Sequence, residues 1–403
     1  MEIDINKALI KKIDKKKWIK RKFCDIFENI TEKTVPNKSK LENYVGLEHL
    51  DSQSLKIRRY GKTSSLKGEK LKIYKGDFIV AKRNAYLKRA AVINFDAVAS
   101  AHSFVLRTRL DNFLPKFLSF FLLSEIFWQK AIQISVGSLS PTINWKTLAK
   151  QEFLLPIKKE QKLIAELLYA LNEVIESNLA LKKKYLLFYN KYLNDSVTGN
   201  FSDNFIKWKT YIFGNLGVSF GGLTGKTKHD FGKGRPFITY MNIYKNSKVN
   251  PEEFERVVID ENEKQNEVKF GDILFTGSSE TPDEVGMSSV FLDKSNSYYL
   301  NSFCFGFRLY NFDTLLPEYA RYLLRSDYVR NFMYKHAQGS TRFNLSKSTV
   351  KTKLKIKIPD ILEQKKIYEK LNLIEEKILE IDDNLNKSLN LQKNIINKIF
   401  NVI

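Results

Sequence analysis

The sequence predicts an α+β protein made by tandem duplication. Two globular units are each followed by a long helix, and the two helices pair as an antiparallel coiled coil in a pseudo-twofold arrangement. Two observations carry this. LPIKKEQKLI at 155–164 returns as IPDILEQKKI at 358–367, with Pro156 on Pro359, Glu160-Gln161 on Glu363-Gln364, Lys162 on Lys365 and Ile164 on Ile367. Behind each phrase, apolar residues recur in alternating steps of four and three, the spacing of a coiled-coil seam.

The match extends through both copies. Lys17-Trp18 resembles Lys207-Trp208, and Gly76-Asp77 resembles Gly271-Asp272. Ser103-Phe104-Val105 aligns with Ser302-Phe303-Cys304, Leu114-Pro115-Lys116-Phe117 with Leu316-Pro317-Glu318-Tyr319, Ser124 with Ser326, and Gly137-Ser138 with Gly339-Ser340. The drifting offset is that of one long duplication with loop insertions, not of a short-period solenoid. Each copy opens on a Trp-bearing basic segment. Short runs rich in Val, Ile, Tyr and Phe follow, broken by Gly, Asp and Asn, and they read as strands. A Gly-Asp turn precedes one such strand in each copy. One amphipathic helix is expected near 115–134 and one near 317–337. A Gly-Ser loop, a short strand ending in Pro and the long helix complete the unit. The boundaries expected are 1–155 and 197–358 for the globular units, with helices at 156–196 and 359–403.

In the second helix the seam is Ile367, Leu371, Ile374, Ile378, Ile381 and Leu385. It resumes at Ile395 and Ile399 after Ser388 and Gln392. In the first it is Ile164, Leu168, Leu171 and Ile175, interrupted at Asn178 and Lys182 and finished by Tyr185, Tyr189 and Tyr192. Polar seam positions fix register at some cost in stability. Two helices packed separately on their own units are the alternative. A whole globular unit separates the seams, which favours antiparallel pairing.

With 403 residues, 43% of them hydrophobic, the chain can fill two cores. Its net charge of +22 favours a polyanionic partner, nucleic acid or an acidic membrane surface. The excess is uneven. Residues 1–200 hold 37 Lys and Arg against 20 Asp and Glu, a balance of +17, and the remainder holds 30 against 25, or +5. Cys24 and Cys304 form no metal-binding pair or disulfide framework, which fits a reducing cytoplasm. MEIDINKALIKKIDKKKW alternates charge with apolar residues and has no signal-peptide core. The uncharged run from Phe117 to Ser124 is far shorter than the roughly 20 residues of a membrane span.

No catalytic constellation stands out. There is no dinucleotide-binding or P-loop glycine pattern. The glycines of FGKG, 231–234, read as a loop. PDILEQK, 359–365, holds the residue types of a metal-dependent nuclease core, but the first copy lacks its Asp and the segment reads as a helix cap. His49, His102, His229 and His336 have no ligand spacing, so no metal site is expected.

The candidate functional residues are basic and polar loop residues. In the first unit these are Lys56, Arg58, Arg59 and Tyr60, then Lys82, Arg83, Asn84, Tyr86, Lys88 and Arg89. In the second unit Thr224, Lys226, Lys228, Arg235, Tyr240 and Asn242 lie in a Gly-rich stretch, and Ser278, Ser279, Glu280 and Thr281 in a hydroxyl-rich loop. Arg reads guanine O6 and N7, Asn reads adenine N6 and N7, and Lys mostly meets phosphate. From Ile164 to Tyr192 the first helix spans roughly 40 Å at 1.5 Å per residue. That is close to the ~34–36 Å of one DNA turn, so two readers on such a rod can meet one face of a duplex.

These segments resemble the specificity subunits of type I restriction-modification systems over nearly the whole chain. GSLSPTINWKTLAKQEFLLPIKKEQKLIAELL and GSTRFNLSKSTVKTKLKIKIPDILEQKKIYEKL look like the family's two repeat regions. YVGLEHLDSQSLKIRRYG and GKTKHDFGKGRPFITYMNI look like parts of its two target recognition domains. The resemblance implies a non-enzymatic subunit that binds double-stranded DNA. Each recognition domain would read one half of a split site, while the helices set the gap and dock two methyltransferase subunits. Endonuclease subunits would join the complex, and S-adenosylmethionine, ATP and Mg²⁺ would belong to those partners. The alternatives are a related split-site system whose partner both cuts and methylates, a metal-dependent nuclease, and a protein-binding coiled-coil scaffold.

Overall fold

The computed structural model describes residues 13–36, 39–109, 113–199, 208–294 and 298–400. Lys207, and most of the N-terminal segment read above, fall outside them. The chain divides into two units, residues 1–180 with 382–403 and residues 181–381. Each long helix, Lys158–Thr198 and Ile361–Phe400, therefore contributes one part to each unit.

The first unit is built on a four-stranded sheet in the order Phe27–Ile30, Ser103–Thr108, Phe78–Ala81, Ala90–Val92. A five-stranded sheet runs Lys33–Thr34, Lys70–Ile73, Ala97–Ala99, Asn43–Val45, Gly61–Lys62. Ile19–Lys22 pairs with Glu152–Leu155, so the Trp18 opening lies against the strand that leads into the long helix. The second unit repeats the four-stranded order with Gly217–Gly221, Cys304–Leu309, Ile273–Thr276 and Ser288–Val290. Lys209–Ile212 likewise pairs with Lys355–Ile358. The Gly-Asp turns have one task. Asp77 accepts from the Arg107 guanidinium at 2.7 and 2.9 Å, and buried Asp272 accepts from Arg308 at 2.8 and 2.6 Å. Its hydrogen bonds to Asp272 raise Arg308's already high pKa further.

The repeated phrase is a clamp. Gln161 Oε1 accepts from the Leu114 N–H, and its Nε2 donates to the Pro156 carbonyl, both at 2.9 Å. Gln364 does the same for Leu316 and Pro359 and also donates to Thr314 O. Both amides are buried, and each ties the start of the long helix to the segment before the Leu-Pro helix. The adjoining glutamates hold the start of each copy. Glu160 accepts from the Asp14 N–H, and Glu363 from the Trp208 indole. Asp360 caps the second long helix by accepting from the Glu363 N–H at 2.9 Å. Asp360 and Glu363, the carboxylates that resembled a nuclease core, are thus occupied in folding.

The single helix expected near 115–134 is two, Pro115–Phe121 and Glu125–Gln133. The counterpart is Pro317–Leu323 and Asp327–His336. Ser124 and Ser326 make the break. Each takes extended backbone angles, and each hydroxyl donates to the carbonyl three residues back at 2.6 Å. Such a side chain competes with helix continuation.

One stretch of the alignment also slips. Ser103 pairs with Ala81, and Cys304 with Thr276, so Ser103 corresponds to Cys304 and not to Ser302. A slip of two preserves the inward-outward alternation of a strand, and pattern alone does not detect it. Phe303 consequently leaves the strand and stands exposed, whereas Phe104 is buried.

Within the first unit, Ile164 and Leu168 share a core with Ile395, Ile396, Ile399 and Phe400. Within the second, Leu193 and Val197 share one with Ile367 and Leu371. The start of one helix meets the end of the other in each unit, which is antiparallel pairing. Ile374, Ile381 and Leu385 are buried on the expected seam, and Gln392 is buried on it too.

Candidate nucleic-acid interface

In both units the same two backbone segments meet. One is the segment leaving the sheet strand that follows the Gly-Asp turn, and the other is the Gly-Ser turn. In the first unit Val136 and Thr142 exchange N–H and carbonyl at 3.0 and 2.9 Å, closing the turn, and Ile143 N–H donates to Lys82 O at 2.9 Å. Asn84 N–H donates to Pro141 O at 2.8 Å. In the second unit Gln338 and Asn344 exchange bonds at 2.9 and 2.8 Å, and Leu345 N–H donates to Gly277 O at 2.9 Å. Ser278–Ser279 then pairs with Phe343–Asn344. Lys82-Arg83-Asn84 thus occupies the place of Gly277-Ser278-Ser279. The turn geometry is common to both copies although SLSPT has become STRFN.

Gly339 adopts φ +146°, and a Cβ there would lie 2.0 Å from the Arg342 carbonyl oxygen. Only glycine closes this turn without displacing Arg342.

The junction in the first unit presents Arg83 and Tyr86 to solvent. Asn84 supports it from the left-handed region, at φ 55°, where Asn is tolerated, and its Oδ1 accepts from Ser140 at 3.3 Å. Leu139 at the turn tip is 98% exposed. Lys82 reaches back to Ala101 O, and burial lowers its pKa. Burial first, then the charges of Arg83, Lys82 and Lys70, lowers His102.

Several expected readers have partners instead. Arg58 ion-pairs with Glu176 on the first long helix and donates to Ser54, and Lys56 lies 3.5 Å from the same Glu176. Arg59 pairs with Asp51. Lys88 pairs with Glu125, half-buried, and Arg89 donates to Leu47 O. Asp51, Glu176 and Glu125 lie outside the basic stretches, so counting charge within those stretches missed them. Tyr60 remains exposed beside Phe95.

In the second unit Asn242 is wholly buried. It donates to Asn250 O and accepts from Asn250 N–H, holding the Tyr240–Lys245 helix to the segment after it. Lys226 is buried against Glu263, and Thr224 is fixed on both sides by Gln265. Asn242 and Lys226 are internal ties, not exposed readers, whereas Thr224 is exposed and held through its backbone. Lys228 and Arg235 are exposed. FGKG belongs to the strand Phe231–Ile238, where a bulge sets both Phe231 and Arg235 against Val257. Tyr240, Ser278, Ser279 and Glu280 line one concave site, and Thr281 is exposed next to it in sequence. Met241, Phe303 and Arg342, not singled out above, line it as well. Arg342 follows the Gly-Ser pair by two residues, a signal the repeat contained. Phe303 was concealed by the slip of two.

The model for the type I restriction modification DNA specificity domain matches residues 15–196 and again 205–391. The chain belongs to this family. Its two matches fall on the two copies of the duplication, and DNA sequence recognition is the work of such a specificity subunit. No curated protein matches the specificity chain in sequence. Among solved structures, one is a chain from a type I restriction-modification system described for its complex assembly and conformational transition. It has 18% identity and a TM-score of 0.61, and covers 96% of this chain and 98% of that one. The type I S subunit from M. genitalium gives 14% identity, 97% coverage of each chain and a TM-score of 0.55. The HsdS subunit from Thermoanaerobacter tengcongensis gives 19%, 95% and 96% coverage, and 0.45. These likenesses concern the fold alone. No helix among the described residues is long and apolar enough to cross a membrane. Among them there is also no group of three or more His, Cys, Asp or Glu able to hold a metal.

Proposed function

We propose that each unit reads one half of a bipartite DNA site at the junction between its Gly-Ser turn and the segment beside it. The long helices set the gap between the halves and dock two methyltransferase subunits. Catalysis then belongs to partners: S-adenosylmethionine to the methyltransferases, ATP and Mg²⁺ to endonuclease subunits that join the complex. The observation supporting this is the shared junction with unshared residues. One backbone arrangement carries Arg83 and Asn84 in the first unit, and in the second it carries exposed Arg342 beside the buried hydroxyls of Ser278 and Ser279. A fixed scaffold with different reading groups is suited to two different half-sites.

Charge alone no longer ranks the first unit's arginines equally. Arg83→Ala in the assembled complex is expected to weaken specific DNA binding by about 1–3 kcal/mol. Arg59→Ala, whose guanidinium already sits on half-buried Asp51, should change binding far less. Titrations at several salt concentrations read both. Equal losses from the two variants would contradict the assignment of the junction as the reading site.

A further inference from the structure

The concave site of the second unit contains more than a generic polar surface. It encloses about 780 Å³ and is lined by Tyr240, Met241, Glu280, Phe303, Thr341 and Arg342, among others. Its inner carboxylate is already engaged. Glu284 accepts from Ser279 Oγ at 2.7 Å and from the Tyr244 hydroxyl at 3.0 Å, and these bonds lower its pKa. Glu280 and Arg342 differ from it. Both are exposed, and among the described residues neither side chain has a hydrogen-bond or ion-pair partner. The Arg342 guanidinium lies 5.0 Å over the Phe303 ring, a stack that orders the side chain without using its N–H donors.

Resting on the reading proposed above, we propose that Glu280 and Arg342 together read one C·G base pair in the half-site of the second unit. An unpaired guanidinium offers two parallel donors, which match guanine O6 and N7. An unpaired carboxylate only accepts, and in the major groove it suits the cytosine N4 amino group. One base pair presents both patterns side by side. A phosphate would satisfy Arg342 but would be repelled by Glu280, so a backbone clamp is the poorer fit. The Gly339 turn holds the Arg342 backbone, and the pairing of Ser278–Ser279 with Phe343–Asn344 joins the segments bearing the two side chains.

The test uses the assembled methyltransferase complex and duplexes in which each base pair of its recognised sequence is replaced in turn. The wild type should have a C·G pair in one half at which replacement weakens binding about tenfold or more, as expected for a good bidentate contact. In Arg342→Gln, and in Glu280→Gln, the penalty at that one position should fall to about twofold, with every other position unchanged. Both residues are exposed, so the thermal midpoint should stay at the wild-type value. Variants that weaken binding to all duplexes alike would make these residues backbone contacts and overturn the proposal. Unchanged penalties, or a recognised sequence with no C·G pair in either half, would also overturn it. If the wild-type complex recognises no bipartite sequence at all, the parent reading fails instead.

Discussion

Gln364→Leu is expected to destabilise the second unit by about 3 kcal/mol, because buried polar groups left without partners cost roughly 1–3 kcal/mol each. The substitution removes the acceptor of the Leu316 N–H and the donor to Thr314 and Pro359. For a unit of this size the thermal midpoint should drop by roughly 6–12 °C. Gln161→Leu should likewise destabilise the first unit, since its amide accepts from Leu114 and donates to Pro156 in the same way. Scanning calorimetry of the full chain measures both. A midpoint within a degree of wild type for Gln364→Leu would mean that the repeated Glu-Gln is kept for something other than the clamp.

The repeat made this clamp visible as a pattern but not as a mechanism. Glu160-Gln161 and Glu363-Gln364 are conspicuous in the repeat, yet apart from the nearby prolines and the Trp208 indole their partners lie tens of residues or more away and belong to backbone, which has no residue-type signature. The seams were legible because burial follows the heptad: Ile164, Leu168, Leu371, Ile374, Ile381 and Leu385 are all buried as their spacing requires. The helix break at Ser124 was not legible, because a serine hydroxyl can be satisfied within a helix or can end it. The reading residues were the hardest. Arg83 and Arg58 are equivalent as letters, and only the distant Glu176 and the nearby Ser54 separate them. Asn242 has the chemistry of an adenine reader, but it spends that chemistry on Asn250. Phe303 acquires meaning only once the strand register is known, whereas the place of Arg342 after the Gly-Ser pair was already in the repeat.

If the helices set the gap between half-sites, lengthening both together should change the gap and nothing else. The insertion points follow from the packing. Leu193 and Val197 meet Ile367 and Leu371 in the second unit, and Ile164 and Leu168 meet Ile395 and Ile399 in the first. Four residues added after Ala180 and four after Ile381 leave all of those contacts within their own units. Each helix gains roughly 6 Å, and four residues are close to one turn, so the seam largely keeps its face. That length is nearly two base pairs at ~3.4 Å each. Mapping of methylated sites should return both half-sites unchanged, with one or two more unread base pairs between them. Four residues inserted after Leu171 alone should instead set one seam out of step with its partner and lower stability. A double insertion that keeps the original gap at full activity would remove the helices from the role of spacer. One that alters a half-site would make them part of the reading surface.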